Sequence, residues 1–222
     1  MILTVTGGKG GVGKSTVAYN LATELDAVAV DADLGMADLP PGRGPDLHDV
    51  LAGRADPVEA VRDSGPVAIL PCGRSLAGVR AADPTALVES VEAVAAEYGR
   101  VVVDAPAGMH CDAGLPLLVA DACLIVTRPT RPALAGAVRT RELARAIDTP
   151  LAHVVLNRAD ESPGQRTDRV AATLGAPVSV LPDSSTLARA QRAGQPVSVV
   201  APDSPASERF ARLADTVERA LT

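Results

Sequence analysis

Short apolar runs alternate along the chain with longer segments of helical period. The runs are continuous rather than alternating in polarity, which is typical of strands covered on both faces. They span residues 2–6, 27–31, 67–70, 101–104, 124–127, 154–156 and 178–181. Helical periodicity marks residues 15–25, 84–98, 132–147, 165–174 and 184–193. This alternation predicts βαβ units, and therefore an α/β fold with a doubly wound, mostly parallel sheet flanked by helices.

The last segment of the chain predicts an amphipathic helix that packs on this sheet. Ser204 and Pro205 suit its N-cap and first turn. Its charged face sums to zero, whereas a helix lying on a membrane usually carries an excess of Lys and Arg. One apolar stripe holds Ala206, Phe210, Leu213, Ala214, Val217 and Leu221.

Composition narrows the class of protein. The 222 residues suit one domain over 1–222, and 27 acidic residues outnumber 21 basic ones to give a net charge of −6. With Tyr19, Tyr98 and Phe210 as its aromatic residues, the chain offers little on which bases stack, so a general nucleic-acid binder is not favoured. Three cysteines without a CxxC pair, no export signal and no apolar run of about 18 residues predict a cytoplasmic protein.

A glycine-rich loop lies between the first predicted strand and the first predicted helix. In such a loop, backbone N–H groups surround phosphate oxygens and the helix N-terminus favours negative charge. Lys14 is expected to reach the β- and γ-phosphates, the Ser15 hydroxyl to bind Mg²⁺, and Thr16 to contact the α-phosphate. Lys9 and Lys14 are the only lysines in the sequence, and both lie here. The pattern G-x-x-x-x-G-K-[ST] is matched by Gly8-Lys9-Gly10-Gly11-Val12-Gly13-Lys14-Ser15.

Several segments together resemble the MinD/ParA family of P-loop ATPases. Residues 9–16 resemble the family's deviant Walker A motif, in which a second lysine precedes the glycines. Residues 31–39 are similar to the family's switch I, residues 49–53 to the short helix that follows it in MinD, and residues 104–108 to MinD switch II. Residues 156–158 and 181–197 resemble the loops on the adenine side. The matches run in order over nearly the whole chain, and MinD-like proteins resemble it most.

The resemblance implies a P-loop NTPase fold and a nucleotide-sandwich homodimer. Lys9 would reach the phosphates held by the partner subunit, and Asp33 would position or activate the attacking water. Gly108 would sense the γ-phosphate through its backbone N–H. From the residues alone, a solvated loop lysine is the alternative for Lys9, and an ordinary turn is the alternative for Gly108.

Two carboxylates close apolar runs. Asp104 stands at the expected Walker B position, where a carboxylate holds Mg²⁺ through its water shell. Asp31 closes another run, and capping of the following turn is the alternative for both residues. We prefer Asp33 to Asp31 as the catalytic carboxylate. The catalytic set is therefore Lys9, Lys14 and Asp33, and the metal-binding set is Ser15 and Asp104.

The adenine side is implied by the resemblance alone. Asn157 looks like the family asparagine that hydrogen-bonds adenine, and Pro182 with Asp183 would form the opposing loop. Two residues depart from the family pattern. Ser184 stands where many MinD sequences carry an acid, and Asp38 stands where an asparagine is usual.

Two groups of residues permit other interpretations. Cys111 lies seven residues after Asp104, the offset at which the related nitrogenase iron protein places a cluster ligand, and Cys72 ends another apolar run. Small buried thiols are the favoured interpretation. The second group is a set of arginines: Arg128, Arg131, Arg139, Arg141 and Arg145. A solvated helix face is the favoured interpretation of this group, and a basic face that binds DNA or a partner protein is the alternative.

The sequence thus predicts a cytoplasmic MinD-like ATPase that binds Mg·ATP, dimerises around it and hydrolyses it slowly to position a cellular structure or partner. An unidentified protein would activate it or serve as cargo, any membrane contact would be indirect, and DNA is not expected as a ligand. The alternatives are a ParA-like partition ATPase that binds DNA, an ATP-dependent ligase or amidase of the dethiobiotin-synthetase type, and a metal-trafficking relative.

Overall fold

A parallel sheet organises the chain. The computed structural model describes residues 1–35, 37–40, 43–108, 111–160 and 164–221, with the backbone alone at 111 and 112. The strands within these residues are β1 (Ile2–Thr6), β2 (Val28–Asp31), β3 (Ile69–Leu70), β4 (Val101–Asp104), β5 (Ala122–Thr127), β6 (Leu151–Asn157) and β7 (Val178–Leu181). They pair in parallel in the order β3-β2-β4-β1-β5-β6-β7. The predicted fold class is confirmed.

Helices cover both faces of this sheet. In the described part of the chain they are α1 (Lys14–Glu24), α2 (Leu47–Leu51), α3 (Leu76–Ala81), α4 (Leu87–Tyr98), α5 (Cys111–Leu118), α6 (Arg131–Ala146), α7 (Gln165–Leu174), α8 (Ser185–Arg192), α9 (Val197–Val200) and α10 (Pro205–Leu221). A single 3₁₀ turn, Pro84–Ala86, precedes α4. None of the described helices is long and apolar enough to cross a bilayer.

Some elements have the bounds that the apolar pattern predicts, and others differ from it. β1, β4, β7 and α7 have the predicted bounds. β6 begins at Leu151, earlier than expected, because its backbone pairs with β5 from Cys123 onward; the His153 Nε2 atom within it lies 2.8 Å from the Ser179 hydroxyl. The predicted helix at 84–98 divides into the 3₁₀ turn and α4. Periodicity did not predict α3, α5 and α9, because one or two turns carry too little of it.

The structure corrects two positions after β2. The short helix resembling that of MinD begins at Leu47 rather than Asp49, because Asp46 caps it and accepts a hydrogen bond from the Asp49 N–H at 3.2 Å. Cys72 does not end a strand. β3 stops at Leu70, and the following Pro71 has no N–H with which to continue the ladder.

Two apolar layers fill the space between sheet and helices. On one face α1 and α10 pack on Leu3 and Val5, and on the other α2 and α4 pack on Val101 and Val103. The predicted stripe of α10 is confirmed: Phe210, Leu213, Ala214 and Val217 are buried, and Ala206 and Leu221 pack at its margin. The terminal helix is therefore part of the core.

Candidate functional site

The predicted phosphate loop and two carboxylates meet at one edge of the sheet. Parallel strands end at the same edge, and Asp31 of β2 lies directly opposite Asp104 of β4 in the ladder. β1 pairs with β4 on one side and with β5 on the other. The order of the strands therefore reverses direction at β1, which makes this a topological switch point. Ligands of doubly wound sheets bind in the crevice outside such a switch point.

The turn from the loop into α1 depends on Gly13. Its φ of +103° favours glycine, and a Cβ there would collide with the side-chain amide of Asn157. Asn157 Nδ2 donates a hydrogen bond to the Val12 carbonyl at 2.8 Å. Asn157, predicted as an adenine contact, thus supports the phosphate loop from the end of β6.

A second close approach, between Gly8 and Gly136, was not predicted. Gly136 lies in α6, and a Cβ on either glycine would run into the backbone of the other. No local pattern identifies Gly136, because its reason for being glycine lies in a contact with a loop 128 positions away. α6 therefore sets the position of the phosphate loop.

We expect Gly136→Ala to destabilise the protein by about 1–3 kcal/mol and to weaken ADP binding. The new methyl group would lie 3.0 Å from the Gly8 carbonyl carbon and oxygen and must displace the loop. Urea unfolding and calorimetry measure the two effects. Gly114→Ala is the matched control, since a Cβ in that helix meets nothing within 4 Å. Equal unfolding midpoints for the two variants would contradict the close approach.

The two lysines of the loop differ in environment. Lys14 is only 6% exposed, and among the described residues no carboxylate forms an ion pair with it. Lys9 is exposed at the tip of the loop, beside glycines at 10 and 11 whose missing side chains would meet nothing within 4 Å. A buried, unpaired ammonium is costly without an anion. The burial of Lys14 therefore suits the binding of an anion, whereas Lys9 is exposed to solvent.

Asp31 shapes the switch I segment. Its carboxylate accepts hydrogen bonds from the N–H groups of Asp38 and Leu39 at 3.0 Å each, and of Asp33 at 3.3 Å. Burial raises the pKa of Asp31 to about 6, against the lowering effect of these N–H groups. The capping interpretation suits Asp31, and Asp33 is left half-buried at the crevice. Met36, within the predicted switch, lies outside the described residues.

Asp104 is buried without a protein partner. Its side chain is 1% exposed, and within the described chain neither carboxylate oxygen has a hydrogen-bond partner. Burial raises its pKa well above the usual value, while the nearby Ser15 hydroxyl and Lys14 ammonium lower it. A buried carboxylate beside a hydroxyl fits a hydrated Mg²⁺, because oxygen donors are the ligands this ion prefers. The capping alternative for Asp104 has no contact to support it.

His48 contacts the predicted switch I segment at Leu34. Its Nε2 atom lies 3.0 Å from the Leu34 carbonyl oxygen and 3.4 Å from Cys72 Sγ. The ring is buried, and a Cβ on Gly73 would collide with it. This contact was not predicted, because the spacing of His48 from Leu34 follows no sequence motif.

The predicted adenine-side residues border one cleft. Thr16, Asn157, Pro182 and Asp183 line it together with residues of α8. Ser184 accepts a hydrogen bond from the Leu187 N–H at 3.2 Å, so at this departure from the family pattern it caps α8. Gly108 has a φ of +105°, in the left-handed region expected of a glycine turn. Residues 109 and 110 after it lie outside the described part of the chain.

The other candidate groups are dispersed. No three His, Cys, Asp or Glu side chains in the described residues are arranged to hold a metal ion, and the Cys111 side chain is not among those described. In the arginine-rich segment, Arg141 donates to the Leu174 carbonyl at 3.2 Å and Arg145 lies 3.6 Å from Glu142. Arg131 and Arg139 are exposed.

A phosphate loop between β1 and α1, at the switch point of a parallel sheet, defines a P-loop nucleotide-binding protein. Residues 3–197 match the family model of the CobQ/CobB/MinD/ParA nucleotide binding domain, and the chain belongs to this family.

Similar proteins agree with this assignment. An ATP-binding protein of Methanocaldococcus jannaschii is 34% identical over 98% of this chain and 88% of its own. The septum site-determining protein MinD of Pyrococcus horikoshii, solved with Mg-ADP, has a TM-score of 0.89 and 28% identity, covering 98% of this chain and 96% of its own. The Aquifex aeolicus MinC:MinD cell division complex contains a chain with a TM-score of 0.79 and 25% identity, covering 98% and 94%. The resemblance to MinD is confirmed.

Proposed function

We propose that this protein is a MinD-like ATPase that binds Mg·ATP at the β1–α1 loop and hydrolyses it slowly between two subunits. The observation that carries the proposal is the convergence of Lys14, Ser15 and Asp104 at one crevice. Among the described residues the Lys14 ammonium has no ion-pair partner and the Asp104 carboxylate has no hydrogen-bond partner. The ammonium suits a phosphate, the Ser15 hydroxyl suits a direct ligand of Mg²⁺, and the carboxylate suits the water shell of that ion.

The dimer is supported by the exposure of Lys9. Lys9 is exposed, whereas a lysine that serves its own nucleotide is expected to be buried in the loop as Lys14 is. A cation supplied by a second subunit stabilises charge that develops on the transferring phosphoryl group. Lys9 is the residue we assign to this role, and ATP rather than ADP is the nucleotide that would bring two subunits together.

The switch I and switch II segments would make the binding of partner proteins depend on which nucleotide is bound. Asp31 and His48 contact residues on either side of Asp33 in sequence, and Gly108 ends the second switch as the last described residue before 109 and 110. A γ-phosphate that rearranges these segments changes the surface offered to a partner. The relative from Aquifex aeolicus is solved in complex with MinC. By analogy, we propose that an activating or cargo protein docks on the ATP-bound dimer of this chain.

Asp33→Ala tests the proposed catalytic cycle. Loss of the carboxylate that positions water should lower the rate of phosphate release by about 100-fold or more while leaving ATP binding in place. The ATP-bound dimer should then accumulate and sediment as a dimer, whereas the same protein with ADP should remain a monomer. Phosphate release and sedimentation velocity measure the two effects.

Asp215→Ala, an exposed aspartate of α10, is the matched control and should behave as the parent. An Asp33→Ala protein that releases phosphate at the parental rate would remove Asp33 from catalysis. If the parent itself fails to bind ATP, the proposed function as a whole is wrong. The location of a fluorescent Asp33→Ala fusion separates a nucleoid pattern, expected of a DNA-binding ParA-like protein, from a pole or membrane pattern.

A further inference from the structure

Asp38 lies beside the hydroxyl that the phosphate loop offers to a metal. The Ser15 Oγ atom donates a hydrogen bond to Asp38 Oδ2 at 3.1 Å. In an octahedral Mg²⁺ shell with bonds of about 2.0–2.1 Å, two adjacent ligand oxygens stand roughly 2.9–3.0 Å apart. The two oxygens are therefore already spaced as neighbouring ligands of one ion.

The backbone holds Asp38 in this place. Its N–H and that of Leu39 both donate to the buried Oδ2 atom of Asp31 at 3.0 Å. Asp31 ends β2, and its Cα is paired in the ladder with that of Asp104. The position of Asp38 relative to Ser15 is thus set by the sheet and not by a free loop.

Asp104 supplies an independent sign of a ligand at this position. Its buried carboxylate has no hydrogen-bond partner in the described chain and lies near the same Ser15 hydroxyl. The described carboxylates do not form a metal site by themselves. An ion here needs further oxygen ligands, and nucleotide phosphates provide them.

We propose that Asp38 is a direct carboxylate ligand of the Mg²⁺ that binds with nucleotide, and that it couples metal binding to nucleotide binding. This inference rests on the proposed Mg·nucleotide site. The carboxylate takes the place of one water in the metal shell. Without the metal, its negative charge stands near the phosphates and disfavours the nucleotide, so metal and nucleotide favour each other's binding.

Asp38→Asn is the test, because the amide keeps the shape and still accepts the Ser15 hydrogen bond while it removes the charge. The dissociation constant of ADP is measured by calorimetry in EDTA and in Mg²⁺, and the ratio of the two values reports the coupling. We expect this ratio to fall about 10-fold in Asp38→Asn. Electron paramagnetic resonance of Mn²⁺ should show a similar loss of metal affinity in the ADP complex.

Asp203→Asn, at an exposed turn before α10, is the control and should keep the parental ratio. Thermal unfolding without ligand establishes that the Asp38→Asn protein is folded as the parent. An unchanged ratio and unchanged Mn²⁺ affinity would overturn the role of Asp38 and leave it as a hydrogen-bond partner of Ser15. Failure of the parent protein to bind ADP in Mg²⁺ would instead overturn the proposed nucleotide site, and with it this inference.

Discussion

Lys14→Ala is expected to lose nucleotide binding, whereas Lys9→Ala is expected to bind ADP normally and to lose ATP-dependent dimerisation. Lys14 is buried at the start of α1, where a charge-assisted contact to phosphate is worth about 2–3 kcal/mol or about 100-fold in affinity. Lys9 makes its proposed contact only in the partner subunit. Its removal should therefore lower the rate of ATP hydrolysis by about 1,000-fold without changing the ADP affinity of the monomer.

Two measurements distinguish the roles of the two lysines. Calorimetry measures the ADP affinity of each variant, and sedimentation with ATP measures dimerisation of each variant in an Asp33→Ala background. Lys9→Arg should also be impaired, because the guanidinium is planar and bulkier than the ammonium. Arg219→Ala, which removes one exposed positive charge from α10, is the control for net charge. A Lys9→Ala protein that dimerises with ATP and hydrolyses it at the parental rate would reduce Lys9 to a loop residue.

Phe210→Ala is expected to destabilise the protein by about 3–5 kcal/mol. The ring is fully buried between α10, α1 and the sheet, so its loss leaves a cavity among side chains that cannot all move to fill it. Chemical unfolding followed by circular dichroism measures the loss. Leu118→Ala, at a leucine 59% exposed, should change stability by less than about 0.5 kcal/mol.

Removal of residues 205–222 extends the same argument, because it uncovers the apolar face of α1 and of the sheet. The shortened protein should aggregate or unfold. If the shortened protein melted at the same temperature as the parent and lost binding to liposomes, α10 would be a membrane anchor. Its packing in the core would then not stabilise the fold.

Much of the fold follows from local pattern. The continuous apolar runs of β1 and β4 predicted buried parallel strands, because a strand covered by helices on both faces carries mainly apolar residues on both. The stripe of α10 predicted which face packs inward for the same reason. Short elements were predicted less well: the run at 67–70 predicted β3 but made it too long, and α9 was not predicted. β3 has two residues, and α9 has four, so their ends are determined by neighbours rather than by their own periodicity.

In the candidate site, too, some features follow from local sequence pattern and others from tertiary contacts. The spacing of Gly8, Gly13, Lys14 and Ser15 is a local pattern, and the strand before it and the helix after it are local too. The sequence by itself therefore determined the position of the phosphate-loop motif and the class of fold that contains it.

Tertiary structure alone decided how that loop is held and what stands beside it. Asn157 supports Val12 across 145 positions of sequence, and Asp38 reaches Ser15 across 23. Gly136 is glycine because Gly8 approaches it, and His48 of α2 contacts the Leu34 carbonyl in the turn after β2. The physical reason is that each of these contacts depends on strand order and on where separate elements cross, which no pattern within one segment encodes.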